Sequence, residues 1–334
     1  MLRDERGRHT SVFTLQWHLT NACGSHCAHC YDRSARKVLP LEEARRVLAD
    51  FTGFCWRQRV AGRISLTGGD PLLYPGFWEL YESIAEAGVP VAILGNPIAA
   101  DETTALLRIQ RPVYYQISLE GRRAHNDGVR GSGHFDRALT FLDAAQRVGL
   151  PVHVMLTLTR ANLGEVVPLA EELRNRAARL TFNRLAQVGA GASLAAPTAV
   201  EYAAFLDRYL LACLRNPLLG LKDNLINVRR AQHGARPFPG CTGHGCGAAF
   251  DFLALLPDGE VHACRKLPSL VGHLRDGSLD IVYHSAAAAR YRRGSSACQA
   301  CRLRPHCGGC MAVSFGRGRD PLVDRDPDCL YDGC

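Results

Sequence analysis

Between residues 12 and 190, short apolar runs alternate with amphipathic stretches, and no other feature limits the fold of this 334-residue chain so tightly. The runs at 12–19, 62–67, 89–94, 113–119, 152–158 and 180–184 have the length and β-branched content of buried strands. Helical periodicity fills 41–51, 77–87, 136–148 and 165–177, with Glu42 and Glu43 as acids in a first turn and another helix starting at Asp101. Gly88-Val89-Pro90 and Gly149-Leu150-Pro151 repeat one helix-to-strand turn. Six βα units in succession predict an α/β fold with a parallel sheet and right-handed crossovers. They are too few to close an eight-stranded barrel. The expected form is a partial (β/α)6 barrel with its ligand site at the C-terminal strand ends.

The alternation stops near residue 190. Gly189, Gly191 and Pro197 read as loose chain, 199–214 as a helix and 234–240 as a linker. Beyond Cys241, Pro257-Asp258-Gly259 marks a hairpin between 252–256 and 260–264. Past residue 290 the chain is cysteine-rich loop with too little apolar periodicity to pack alone, so it needs metal to fold. The expected organisation is a core over 1–190, a connecting helix and linker over 191–240, and a cysteine-rich unit over 241–334.

The N-terminus is polar and no run of about 20 apolar residues offers a membrane span. A cytoplasmic protein with reduced cysteines is expected, and its fourteen cysteines then point to metal rather than disulfides. Cys55 and Cys213 stand alone in apolar surroundings and read as buried structural thiols. The formal net charge of +8 comes from scattered arginines, so no nucleic acid is expected as partner. Attraction to an acidic peptide is compatible with that charge. Arg229-Arg230 and Arg292-Arg293 read as solvated surface.

Cys23, Cys27 and Cys30 form a CxxxCxxC loop after the first strand. Three thiolates leave one iron of a cubane cluster open, where a closed site has four. Spacing alone also allows zinc, with His26 or His29 as fourth ligand. Leu66-Thr67-Gly68-Gly69-Asp70-Pro71 ends the second strand, and paired glycines let backbone approach a ligand closely. The fourth strand ends in Ile117-Ser118-Leu119-Glu120-Gly121, with Arg130 downstream.

Together these segments resemble the radical S-adenosylmethionine (radical SAM) superfamily. There the open iron chelates SAM, and an electron from the 4Fe–4S cluster cleaves it to a 5′-deoxyadenosyl radical. The resemblance implies that Gly68, Gly69 and Asp70 meet the methionyl amino group, Asp70 standing where the family has Glu. It assigns the SAM ribose to Ser118 and the SAM carboxylate to Arg130, whose guanidinium offers two parallel donors. His29 holds the position of an aromatic residue near adenine, and Leu185 lines the same pocket.

The cysteines from Cys241 onward closely resemble the SPASM domain of radical SAM enzymes that modify peptides and proteins. Cys307-x2-Cys310 departs from that pattern, which has three intervening residues. By order, Cys241, Cys246, Cys264 and Cys310 would hold one auxiliary 4Fe–4S cluster, and Cys298, Cys301, Cys307 and Cys329 a second. Three clusters and SAM are thus the implied cofactors. Cys334 is left over, able to replace a ligand, contact substrate or do nothing. Read alone, Cys298–Cys310 also fits a zinc ribbon.

The preferred reading is maturation of a ribosomally made peptide through a cross-link or related modification. Since only about a dozen residues precede the first strand, either a separate leader-recognition protein or direct binding of the peptide is expected, with a reducing donor such as flavodoxin or ferredoxin. Anaerobic sulfatase-maturing enzymes carry an acidic proton acceptor after the cysteine matched by Cys264. Arg265 and Lys266 stand there instead, and an arginine cannot take that proton. A haem-pathway relative, or a non-catalytic zinc or iron–sulfur protein, completes the alternatives.

Overall fold

A computed structural model describes residues 1–333; Cys334 lies outside the described residues. Six parallel strands form in chain order: β1 (Val12–Thr20), β2 (Ala61–Gly68), β3 (Val91–Leu94), β4 (Tyr114–Ser118), β5 (Val152–Leu158) and β6 (Arg179–Arg184). Each pairs with its successor. The expected partial barrel core is present.

Helices cover one face between the strands: α1 (Leu41–Gln58), α2 (Phe77–Glu86), α3 (Ala100–Ile109), α4 (Arg123–Arg130), α5 (His134–Arg147) and α6 (Val166–Glu172). Helix α1 runs past the expected residue 51, because Phe51, Phe54 and Cys55 continue the stripe of Ala44, Val47 and Leu48. It stops at Arg59, whose φ of 53° is left-handed. Helix α6 is shorter than expected; the chain leaves it before Asn175, which adopts φ 69°. Large side chains such as Phe13, Trp17, Phe54, Tyr81, Tyr115 and Phe141 are fully buried between these layers. Burying each is worth about 1.5–3 kcal/mol.

The expected hairpin forms as β7 (Phe252–Leu255) and β8 (Glu260–His262), turning at Gly259 with φ 95°. Strand β9 (Leu270–His273) adds to β8. Strand β7 also runs parallel to β1, so one nine-stranded sheet has the order β9-β8-β7-β1-β2-β3-β4-β5-β6. Phe252, Leu253, Ala254 and Leu255 are all buried, the mark of a strand covered on both faces.

Two buried arginines lock the cysteine-rich region onto the core. Arg184, the last residue of β6, meets Asp223 at 3.0 Å, Asp326 at 2.6 Å and Asp328 at 2.8 Å. Arg8 donates to the carbonyl of Cys246 at 2.7 Å. Beyond the barrel, α7 (Ala199–Cys213) and α8 (Ile226–Gln232) bridge the two regions. Two surface readings change. Arg292 donates to the carbonyls of Ala249 and Tyr283 and lies over the Tyr283 ring, and Arg229 pairs with Asp207. Among the described residues, no helix is long and apolar enough to cross a membrane.

Candidate functional site

The C-terminal strand ends open into a cleft of about 1480 Å³, solvent-open part included. Its lining joins Cys23, Cys27 and Cys30 to Gly68, Gly69, Ser118, Arg130, His29 and Leu185. Residues from five segments far apart in sequence therefore meet where the strand polarity puts them. Gln116 and Ser118 from β4, and Met155 and Thr157 from β5, face the cleft at the two-residue period of a strand.

The loop carrying the three thiols is fastened to the barrel by backbone. Ala28 N donates to the Val129 carbonyl at 3.0 Å, and Ala190 N to the Cys30 carbonyl at 2.9 Å. Gly189 and Gly191, read above as loose chain, pack against this loop. A Cβ at Gly189 would lie 2.4 Å from the Tyr31 carbonyl oxygen. Gly68 and Gly69, which line the cleft, also pack closely against backbone. A Cβ at Gly68 would sit 2.1 Å from the Thr20 oxygen, and one at Gly69 2.4 Å from that of Ala22. Gly69 N and Asp70 N donate to these same carbonyls at 2.8 Å.

Asp70 stands just behind the cleft lining. It caps the turn Pro71–Leu73 through Leu72 N at 3.2 Å and accepts from Asn96 Nδ2 at 2.8 Å. Asn96 in turn reaches toward Cys23 Sγ at 3.6 Å.

Glu120 organises the opposite wall, a role its place in the sequence does not announce. Its carboxylate is 1 % exposed and meets Arg130 and, at 2.9 Å, His29 Nε2. It also accepts from Thr157 N at 2.7 Å. Burial works to raise this carboxyl, but His29 and Arg130 overcome it and hold it well below the ordinary range. Arg130 also places Nη1 3.5 Å from Cys27 Sγ. Burial pushes the Cys27 thiol up, and Arg130 counteracts that.

A second cavity, of about 330 Å³, is walled by Cys298, Cys301, Cys307 and Cys329. Gly309 N points at Cys307 Sγ from 3.4 Å and Arg325 at Cys329 Sγ from 3.5 Å.

Cys241, Cys246, Cys264 and Cys310 form the other group. Burial first, then Cys264 and Cys241, push the Cys246 thiol up to about 12. Burial likewise raises Cys310 to about 12, with Cys246 adding to it. Asn224 braces the group: its Oδ1 accepts from Cys241 N at 2.7 Å and its Nδ2 donates to the Gly309 carbonyl at 2.7 Å. Such buried thiols stay protonated unless a metal takes the proton's place. Among the described residues, no three Cys, His, Asp or Glu side chains converge tightly enough for a single metal ion. The isolated thiols Cys55 and Cys213 are raised by burial to about 12 and about 11.

Residues 17–173 match the radical SAM superfamily model, and residues 246–310 match SPASM, an iron-sulfur cluster-binding domain. The chain belongs to the radical SAM superfamily. It is 32% identical to the mycofactocin maturase MftC of Mycobacterium ulcerans, over 95% of this chain and 87% of that protein. It is also 25% identical to the AdoMet-dependent heme synthase of Methanosarcina barkeri, over 95% of this chain and 96% of that one. In fold it is similar to Streptococcus suis SuiB bound to its precursor peptide SuiA, with a TM-score of 0.76 at 16% identity, covering 96% of this chain and 76% of SuiB.

Proposed function

We propose that the chain is a radical SAM maturase that abstracts hydrogen from a ribosomally made peptide to install a cross-link or related modification. The observation that carries this reading is the assembly, in one cleft, of Cys23, Cys27 and Cys30 with Ser118 and Arg130, beside a second region of grouped thiols. Identity to a mycofactocin maturase over nearly the whole chain supports peptide maturation ahead of haem chemistry, where identity is lower.

Cys23, Cys27 and Cys30 would hold the 4Fe–4S cluster at which bound SAM is reductively cleaved to a 5′-deoxyadenosyl radical. The thiol loop fits that group because it is fixed at Ala28 and Cys30 while its three sulfur-bearing residues face the cleft. Arg130, oriented by Glu120, lies where a SAM carboxylate can take the guanidinium's remaining donors. Ser118 would meet the ribose, and Leu185 and His29, on the same lining, the adenine. Gly68 and Gly69, on the cleft lining, would meet the methionyl amino group and also fix the backbone that leads into Cys23; Asp70 and Asn96 brace that junction.

Two auxiliary clusters are assigned, one to Cys241, Cys246, Cys264 and Cys310, the other to Cys298, Cys301, Cys307 and Cys329. That Cys298, Cys301, Cys307 and Cys329 line one cavity supports their sharing one site. Four thiolates make each site closed, suited to electron transfer. A leader-recognition protein and a flavodoxin or ferredoxin donor complete the expected partners of a cytoplasmic enzyme.

A Cys27→Ala variant, reconstituted anaerobically, is expected to lose SAM cleavage while keeping most of the iron bound at the auxiliary thiols. Retained cleavage would overturn the core assignment.

A further inference from the structure

The cleft carries more positive charge than its own carboxylates neutralise. Among the described residues, five cations line it: Arg33, Arg130, Arg184, Arg265 and Lys266. Arg130 is paired with Glu120, and Arg184 with three aspartates. Arg33 donates to the Cys27 carbonyl. Arg265 and Lys266 have no carboxylate partner among the described residues, although both are half-buried.

The neighbours of Arg265 do not supply one. Its guanidinium lies over the Tyr31 ring at 6.0 Å, directly beyond Cys30. His18 packs edge-on to the same ring and is kept neutral, by burial first and then by Arg265 itself. Asp32, the one acid among the described residues lining the cleft, is held by Ser34 and Asn21. Lys266 faces the Cys264 and Cys310 sulfurs, so a cluster held there would offset part of its charge. Arg265 acts on the Cys264 sulfur as well, but among the described residues no acid pairs with it. Half-buried charge without a partner is costly, and such groups are usually paired.

We propose that Arg265 and Lys266 form a carboxylate-binding site that receives an acidic group of the peptide substrate. Such a group is either the peptide's C-terminal carboxylate or an Asp or Glu side chain. The pair begins immediately after Cys264 and lines the same cleft as Cys30, so a bound carboxylate would hold the peptide between the radical-generating loop and the first auxiliary group. This deepens the maturase reading and rests on it.

The test uses three pentapeptides: acetyl-Ala-Gly-Ala-Gly-Ala with a free C-terminus, its C-terminal amide, and the amide with Asp as central residue. Their binding to reconstituted, SAM-treated protein is compared by saturation-transfer NMR, with SAM affinity read on the same samples. Both acidic peptides, or one of them, are expected to bind about tenfold more tightly than the neutral amide, the effect of one charge-assisted contact. Which one does so identifies the source of the carboxylate. The preference should vanish in Arg265→Gln/Lys266→Gln. Equal binding of all three by the wild type overturns the proposal, as does a preference retained in the variant. So does a loss of SAM affinity as large as the loss of peptide affinity, which would assign the pair to SAM's own carboxylate. Iron content and SAM cleavage of the wild-type sample score the maturase reading separately.

Discussion

At the residue scale the centre of the site is Glu120. It is buried, and it joins Arg130 to His29, hence α4 to the thiol loop. Breaking a buried pair by removing one partner costs about 3–5 kcal/mol, because the other charge is left uncompensated. Glu120→Gln should lower stability by that order and weaken SAM binding, measured by denaturant unfolding and equilibrium dialysis. Unchanged SAM affinity would show that Glu120 does not orient Arg130.

His134 gives the same wall a pH dependence. It contacts Asn126 at 3.1 Å, and Asn126 accepts from Glu120 N. Burial, then Arg130 and Arg137, lower its pKa from 6.5 to about 4. The unfolded chain therefore takes up a proton that the folded one refuses. This contribution to stability is complete above pH 6.5 and is lost as pH falls toward 4. A His134→Phe variant should show a shallower fall of melting temperature across that window than the wild type.

At the scale of elements, much was legible. Short apolar runs between period-3.6 stretches place all six core strands, because buried parallel strands read as continuous apolar runs. The thiols, Ser118, Arg130 and Leu185 follow from motifs and do meet at one cleft. What was not legible depends on tertiary contact. Glu120 looks like a variant letter in a motif until Arg130 and His29 close on it. The addition of β7 to the β1 edge leaves no local mark, since a hairpin signal does not say what its outer edge meets. Gly189 and Gly191 read as breaks, yet they admit the backbone of the thiol loop.

The Gly68–Gly69 junction carries an element-scale prediction. Gly68 has φ at 144°, and a Cβ there would lie 2.1 Å from the Thr20 oxygen, so Gly68→Ala must displace the strand end or the thiol loop. Iron at the core site should fall and SAM cleavage with it, while auxiliary iron is retained. Full core iron in that variant would show that the junction tolerates the displacement.

At the scale of the whole molecule, the nine-stranded sheet and the Arg184 hub make the barrel and the cysteine-rich region one packed body. That continuity puts Arg265 and Lys266, which follow Cys264, on the lining of the cleft that Cys23, Cys27 and Cys30 also line. The most direct measurement is product formation by anaerobically reconstituted protein given reductant and SAM. Iron and sulfide should be bound in place of zinc, and 5′-deoxyadenosine released only while Cys23, Cys27 and Cys30 are intact. A protein that binds zinc, holds little iron and leaves SAM uncleaved would contradict the radical SAM assignment.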